Sequence, residues 1–205
     1  MMDKQVFFVT GIGTDVGKTI VSAIVSEYLR ATYWKPIQSG AADGTDRETV
    51  ARLCSDAVRT LPENYLLKEP VSPHLAAAME DVEIDITTLS IPQVDGNLVI
   101  EGAGGLMVPI TNDYLFADWI AAHKIPTIIV SRHYLGSINH TLLTIAQLRN
   151  LNVPIAGIIF VGEENSDTEK MILQHGGVKA LGRIPIAKQL DKAFVTEQAK
   201  KLHLD

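Results

Sequence analysis

The chain has 205 residues, of which 46% are apolar, and it carries 18 Lys and Arg against 24 Asp and Glu, a formal net charge of −6. That apolar share excludes a disordered chain, the acidic balance gives no support for binding a nucleic-acid backbone, and a single cysteine, Cys54, excludes an internal disulfide framework and a cysteine-rich zinc module. No apolar stretch approaches the ~20 residues of a membrane span, and Met1-Met2-Asp3-Lys4-Gln5 lacks a basic region followed by an apolar signal core. The expectation is one soluble, cytoplasmic domain over residues 1–205, with neither nucleic acid nor membrane as partner.

Short β-rich runs alternate with helical patterns along the chain. Residues 6–10 (Val-Phe-Phe-Val-Thr) predict a buried strand that runs straight into glycines. Over 18–31 the apolar positions Ile20, Val21, Ile24, Val25, Tyr28 and Leu29 recur at helical spacing. A second strand is predicted at 32–34, ending at Lys35-Pro36. From 40 to 95 the pattern is broken: a helical turn or two at 47–53, a short helix at 74–79, and Pro62, Pro70, Pro73 and Pro92 as punctuation. It sharpens at 97–101, a buried strand ending at Glu101 before Gly102-Ala103-Gly104-Gly105. Helices at 116–122, 138–150 and 167–175 then alternate with strands at 126–131, 154–161 and 178–184, and 192–201 reads as a solvated helix. Near-continuous apolar strands alternating with helices indicate an α/β fold with a mostly parallel central sheet and helices on both faces. Ligands of such sheets bind beyond the carboxyl ends of the strands, so the residues just after each strand are the candidates for chemistry.

After the first strand the chain reads Gly11-Ile12-Gly13-Thr14-Asp15-Val16-Gly17-Lys18-Thr19. This is a P-loop pattern with one departure: five residues, not four, separate Gly11 from Gly17-Lys18-Thr19. The physical requirements are met all the same. Small residues let backbone N–H groups curl around phosphate oxygens, and the following helix aims its positive end at them. Lys18 can reach the β- and γ-phosphates, and the Thr19 hydroxyl can coordinate Mg²⁺. A glycine-rich turn that merely caps the helix is the competing reading; the strand-to-helix setting favours nucleotide binding.

Such a site needs a carboxylate from elsewhere to hold the metal, and two are placed for it. Glu101 precedes four small residues, and Asp46 lies on the loop after the second strand, where capping the helix near Arg47 is a competing role. Lys35, stiffened by Pro36, is a candidate second cation for phosphoryl transfer to an anionic acceptor, against the alternative of an ordinary surface lysine. The six histidines show no metal-ligand spacing; Cys54, Trp34 and Trp119 read as buried or interface residues.

Together these residues resemble the dethiobiotin synthetase family, over nearly the whole chain. The resemblance rests on the 11–19 loop, Lys35-Pro36-Ile37-Gln38-Ser39-Gly40, Glu69-Pro70-Val71-Ser72-Pro73-His74, Glu101-Gly102-Ala103-Gly104-Gly105, Phe116-Ala117-Asp118-Trp119 and Leu135-Gly136-Ser137-Ile138-Asn139-His140. It implies a P-loop NTPase-like fold and an ATP- and Mg²⁺-dependent ligase of biotin biosynthesis that carboxylates 7,8-diaminononanoate with CO₂ and closes the ring. It implies that Gly13, Thr14, Asp15, Val16, Gly17, Lys18, Thr19 and Ile20 wrap the nucleotide, with Gly102, Ala103 and Gly104 contacting bound ligand and Gly104 also touching substrate. Thr19, Asp46 and Glu101 would hold Mg²⁺. Lys18 and Lys35 would neutralise the carbamate and γ-phosphate, and Thr14 and Ser39 would hydrogen-bond the carbamate. The 135–139 segment, with Leu135 and Asn139, resembles an arm that reaches the diamine's tail across a homodimer.

Three departures from the family pattern stand out. The loop lacks an aspartate that many members carry at Gly13. A lysine of some members is Tyr134 here. Val161-Gly162 stands where an asparagine often reads the adenine edge, so Val161, with Ile184 and Pro185 as the opposite wall, implies an apolar base site with weaker discrimination among nucleotides. The alternative class, a P-loop switch or partitioning ATPase, typically carries a lysine five residues before Lys18; Gly13 occupies that place.

Overall fold

The computed structural model describes residues 4–204. Seven strands form one sheet in the order β4-β2-β6-β1-β7-β8-β9, and every pairing is parallel. They are β1 (Val6–Gly11), β2 (Thr32–Trp34), β4 (Arg59–Thr60), β6 (Leu98–Gly105), β7 (Thr127–Arg132), β8 (Ile155–Val161) and β9 (Ala180–Ile184); β3 (Ile37–Gln38) and β5 (Tyr65–Leu66) pair separately. The helices are α1 (Lys18–Leu29), α2 (Asp46–Leu53), α3 (Pro73–Met79), α4 (Phe116–His123), α5 (Ser137–Asn150), α6 (Ser166–Gly176) and α7 (Lys192–Ala199).

The handedness of parallel crossovers sorts these helices onto two faces. The chain leaves β1 through α1 toward β2 on one side, but from β6 onward α4, α5 and α6 carry it the opposite way. Right-handed connections running in opposite directions cover opposite faces. The reversal at β1, between β6 and β7, opens a crevice at the carboxyl ends of the strands.

The core follows the strand composition. Phe8 and Val9 of β1, Leu98, Val99 and Ile100 of β6, and Ile128, Ile129 and Val130 of β7 are all buried. Phe8 packs on Phe116 and Trp119 of α4, and Trp119 meets Trp34 with ring centroids 6.2 Å apart. The Trp119 indole donates to the Leu89 carbonyl at 2.9 Å, so both tryptophans belong to the core. Cys54 is buried as well, and burial pushes its thiol up to about 12, which keeps it inert.

Four expectations are corrected. The central strand does not stop at Glu101: β6 runs on through Gly105, whose backbone passes beside Gly13, so Glu101 is an interior strand residue. α1 ends at Leu29, because Arg30 turns into the left-handed region at φ 49°. β9 begins at Ala180 rather than 178. Finally, α7 is not a solvated helix, since Val195, Gln198 and Ala199 are buried and the helix packs on α1.

The small residues after Glu101 have a packing cause. A Cβ added at Gly102 would lie 2.6 Å from Cζ of Phe8, a ring already wedged against α4. Gly102→Ala is expected to destabilise the fold by about 1–3 kcal/mol through overpacking. Gly13→Ala, whose added carbon meets nothing within 4 Å, should change stability by less than about 0.5 kcal/mol. Urea unfolding of both variants checks the pair.

Candidate active site

The crevice at the β1 switch point holds a cavity of about 720 Å³. The loop between β1 and α1 forms one wall, with Gly17 at φ 95° as the N-cap of α1. A residue with a side chain rarely adopts that backbone, and it is what turns the first amides of α1 toward the loop. Lys18 folds back over the loop and donates to the Gly13 carbonyl at 3.1 Å. Thr14, Asp15, Gly17, Thr19 and Ile20 line the same cavity, while Val16 is buried beneath it.

Opposite the loop, β2, α2 and β6 deliver a cluster of charges. Lys35 follows β2 directly and is only 4% exposed, so it is not a surface lysine. Its Nζ lies 2.5 Å from Oδ2 of Asp46 and 3.3 Å from Oε1 of the fully buried Glu101. The Thr19 hydroxyl sits 2.8 Å from Oδ1 of Asp46 and 3.1 Å from the same Glu101 oxygen. On the far side, the Tyr33 hydroxyl donates to Oε2 of Glu101 at 2.9 Å.

Asp46 is the first residue of α2 and does not cap it. Thr45 is the cap: its hydroxyl accepts from the Glu48 amide and Glu48 answers to the Thr45 amide. Asp46 is thereby left free to face the cavity, its own amide held by Oε1 of Gln38 at 3.0 Å. Arg47 next to it pairs with the buried Glu63 at 3.0 Å and pins the start of the helix.

Burial and charge compete at these groups. Burial opposes the ionised form of Lys35, but Glu101 and Asp46 outweigh it and its pKa is raised. Burial likewise opposes the Asp46 carboxylate, yet Lys35 prevails and the pKa is lowered. For Lys18 burial wins, Glu101 offsetting it only in part, and the pKa falls. The phenol of Tyr33 is driven up by burial and by Glu101.

The set Thr19, Asp46 and Glu101 supplies only hard oxygens, and two carboxylates with one hydroxyl would suit a hard divalent cation such as Mg²⁺. Among the described residues no group of three or more His, Cys, Asp or Glu side chains forms a separate metal cage.

Other anticipated residues fall into place unevenly. Ser39, Ala103 and Gly104 line the cavity, and the Ser39 hydroxyl is buried with no partner. Gly102 faces the core against Phe8 instead. A neighbouring pocket of about 130 Å³ is walled by Val161, Ile184 and Pro185, with Val16, Gly17 and Ile20. Gly162, expected to touch the nucleotide, does not line this pocket; its amide bonds the Ile184 carbonyl at 2.9 Å and joins β8 to β9. Leu135 and Asn139 are not brought to either cavity: both are exposed at the start of α5.

Sequence reasoning missed Tyr33, Gln38 and Arg132. Tyr33 reads only as a strand residue and Gln38 only as a member of the 35–40 motif, and their roles depend on the β2–β6 pairing and on α2. Arg132 lines the smaller pocket and donates to the Asp15 carbonyl at 3.1 Å. A cation one residue past the strand core was the available signal. The ends of β7 and β9 are tied together from below by Glu169, which takes His133 at 2.9 Å and Arg183 at 2.6 Å.

Removing Lys35 would leave the half-buried Asp46 carboxylate facing the buried Glu101 with no cation between them. The sign follows from the pKa directions. With Lys35 present, the lowered Asp46 pKa stabilises the fold above about pH 4, a contribution lost only as pH falls further. Without Lys35, burial raises the carboxylate pKa above the unfolded value, and stability then falls as pH rises. Lys35→Met should therefore lose about 3 kcal/mol at pH 8 and recover part of it toward pH 5. Urea titrations in EDTA at both pH values test this; a pH-independent loss would contradict it.

The sequence model of the AAA domain family matches residues 5–193. The chain is 48% identical to "ATP-dependent dethiobiotin synthetase BioD" of Agrobacterium fabrum over 90% of this chain and 87% of that protein. It is 50% identical to the protein of that name from Rhizorhabdus wittichii, over 89% and 88%. With that of Brucella anthropi the identity is 46%, over 98% and 95%. Among solved structures it is similar to a ParA family ATPase from Chlorobium tepidum (TM-score 0.54, 14% identity, 98% of this chain and 100% of the other). It is likewise similar to the cell division ATPase MinD of Pyrococcus furiosus (TM-score 0.57, 12% identity, 97% and 98%). At those identities the structures establish the P-loop fold alone, whereas the sequence matches span nearly all of each protein. The chain belongs to the ATP-dependent dethiobiotin synthetase family.

Proposed function

We propose that this protein carboxylates 7,8-diaminononanoate with CO₂ and closes the product to dethiobiotin at the expense of ATP, giving ADP and phosphate. The observation that carries the reading is the convergence of Lys18, Thr19, Lys35, Asp46 and Glu101 on one cavity at the sheet's switch point.

In the proposed reaction one substrate amine adds to CO₂ and loses a proton to give a carbamate. A carbamate oxygen attacks the γ-phosphorus of ATP, and ADP leaves. The second amine attacks the carbonyl carbon of the resulting carbamic–phosphoric anhydride, loses a proton, and expels phosphate. The substrate supplies both nucleophiles, so the protein's work is placement and charge. Two anions must meet, and Lys18 and Lys35 are the cations between them. The unpartnered hydroxyl of Ser39 and the exposed Thr14 are set to bond the carbamate. Thr19, Asp46 and Glu101 would hold Mg²⁺, which when bound neutralises phosphate charge.

The pocket walled by Val161, Ile184 and Pro185 fits an apolar face of the base beside the phosphate loop. A homodimer is supported by exposed apolar side chains that a monomer leaves in water: Leu135 is fully exposed, and Ile138, Leu143 and Met107 are also exposed. No helix among the described residues is long and apolar enough to cross a membrane. A partitioning ATPase gains nothing beyond the shared fold, since Gly13 occupies the place of that group's lysine.

Incubation with diamine, bicarbonate, Mg²⁺ and ATP is expected to release phosphate only when the diamine is present; diamine-independent hydrolysis would sink the assignment. Lys35→Ala should cut kcat by about 100-fold or more while leaving nucleotide affinity nearly unchanged, because its charge acts on the transition state. Equal loss of both would count against that role. With no side-chain hydrogen bond at Val161, GTP and CTP should turn over within about tenfold of ATP. A preference for ATP of several orders of magnitude would overturn the apolar-base reading.

A further inference from the structure

Glu101 is fully buried, and its two oxygens have different neighbours. Oε1 faces the Thr19 hydroxyl at 3.1 Å and the Lys35 ammonium at 3.3 Å. Oε2 has one side-chain donor, the Tyr33 hydroxyl at 2.9 Å. In the parallel register of β2 and β6, Tyr33 lies opposite Val99 and Trp34 opposite Ile100. Side chains alternate along a strand, so Tyr33 and Lys35 share a face, as do Val99 and Glu101. The Tyr33 ring thus rises from beneath the cavity floor to meet the carboxylate from below. The ring is fully buried, and the hydroxyl makes no other side-chain bond. Phenylalanine would fill the same space; what the hydroxyl adds is directed at Glu101.

We propose that Tyr33 is a positioning residue for the divalent cation: by holding Oε2 of Glu101 it fixes the carboxylate plane and presents Oε1 beside Thr19. This rests on the reading that Thr19, Asp46 and Glu101 hold Mg²⁺. A carboxylate that ligates a metal is itself held by hydrogen bonds, and losing such a partner typically weakens metal binding by about 10–100-fold. Without the phenol, Oε2 would be a buried acceptor with no donor, and the carboxylate would be free to rotate away from Thr19. The phosphate cradle does not touch Tyr33: Lys18 is held by the Gly13 carbonyl on the other wall. Nucleotide binding without metal is therefore independent of the phenol.

The test titrates Mn²⁺ onto the full-length protein saturated with a non-hydrolysable ATP analogue, with free Mn²⁺ read by electron paramagnetic resonance. Nucleotide affinity in EDTA is measured by calorimetry alongside. Tyr33→Phe should raise the Mn²⁺ dissociation constant by about tenfold or more, with nucleotide affinity in EDTA within about twofold of wild type. A change in Mn²⁺ affinity below about threefold, or an equal loss of nucleotide binding in EDTA, would overturn the proposal. Glu101→Gln separates the two layers. If it binds Mn²⁺ as wild type does, the metal assignment itself fails; if it binds weakly while Tyr33→Phe binds normally, only the role of Tyr33 fails. Should Tyr33→Phe not fold, the unmutated protein labelled with 3-fluorotyrosine answers instead. Tyr33 is the fully buried one of the five tyrosines, so its fluorine signal is the one shielded from solvent. Mg²⁺ should shift that signal, and an unmoved signal would overturn the proposal.

Discussion

An ammonium group and two carboxylates meet where β2, β6 and α2 converge, Lys35 and Glu101 buried and Asp46 partly open to the cavity. The attraction among Lys35, Asp46 and Glu101 is the constraint on which the site depends. Each charge alone would be expensive to bury, and the pairing favours the ionised forms of Lys35 and Asp46. The same attraction fixes the start of α2 against the end of β2. Well-packed neutral residues of similar volume would often cost no stability there, so packing alone does not account for the cluster.

The backbone had to accommodate that cluster at close quarters. β6 runs four residues past Glu101 alongside β1 and the phosphate loop, and Gly102 is without a side chain because Phe8 occupies the space. Gly102 thus serves packing, while Ala103 and Gly104 line the cavity. Fold alone does not select the chemistry: a ParA family ATPase and a MinD cell division ATPase share this fold at 12–14% identity.

Much of the architecture was legible along the chain. Strands β1, β7 and β8 and helices α4, α5 and α6 fall within a residue of their predicted bounds, because buried runs and helical periodicity are strong local signals. In the 40–95 region the two short helices were legible, α2 and α3 falling within a residue of their predicted bounds, but its strands, only two residues long, were not. α7 was misread because its polar composition hides three positions buried against α1. The end of β6 was misread because glycines break a strand signal in sequence even where a neighbouring backbone continues the ladder.

The sequence by itself determined the alternation of strands and helices, the phosphate loop, and the placing of Lys35 at the end of the second strand. All of these depend on near neighbours in the chain, through side-chain period and turn chemistry. Only the tertiary structure decided that Lys35 is buried and bridges two acids, and that Tyr33 stands behind Glu101. Those contacts join residues as far apart as Tyr33 and Glu101, separated by 68 positions. Strand order and register create them, and no local pattern encodes which strand will lie beside which.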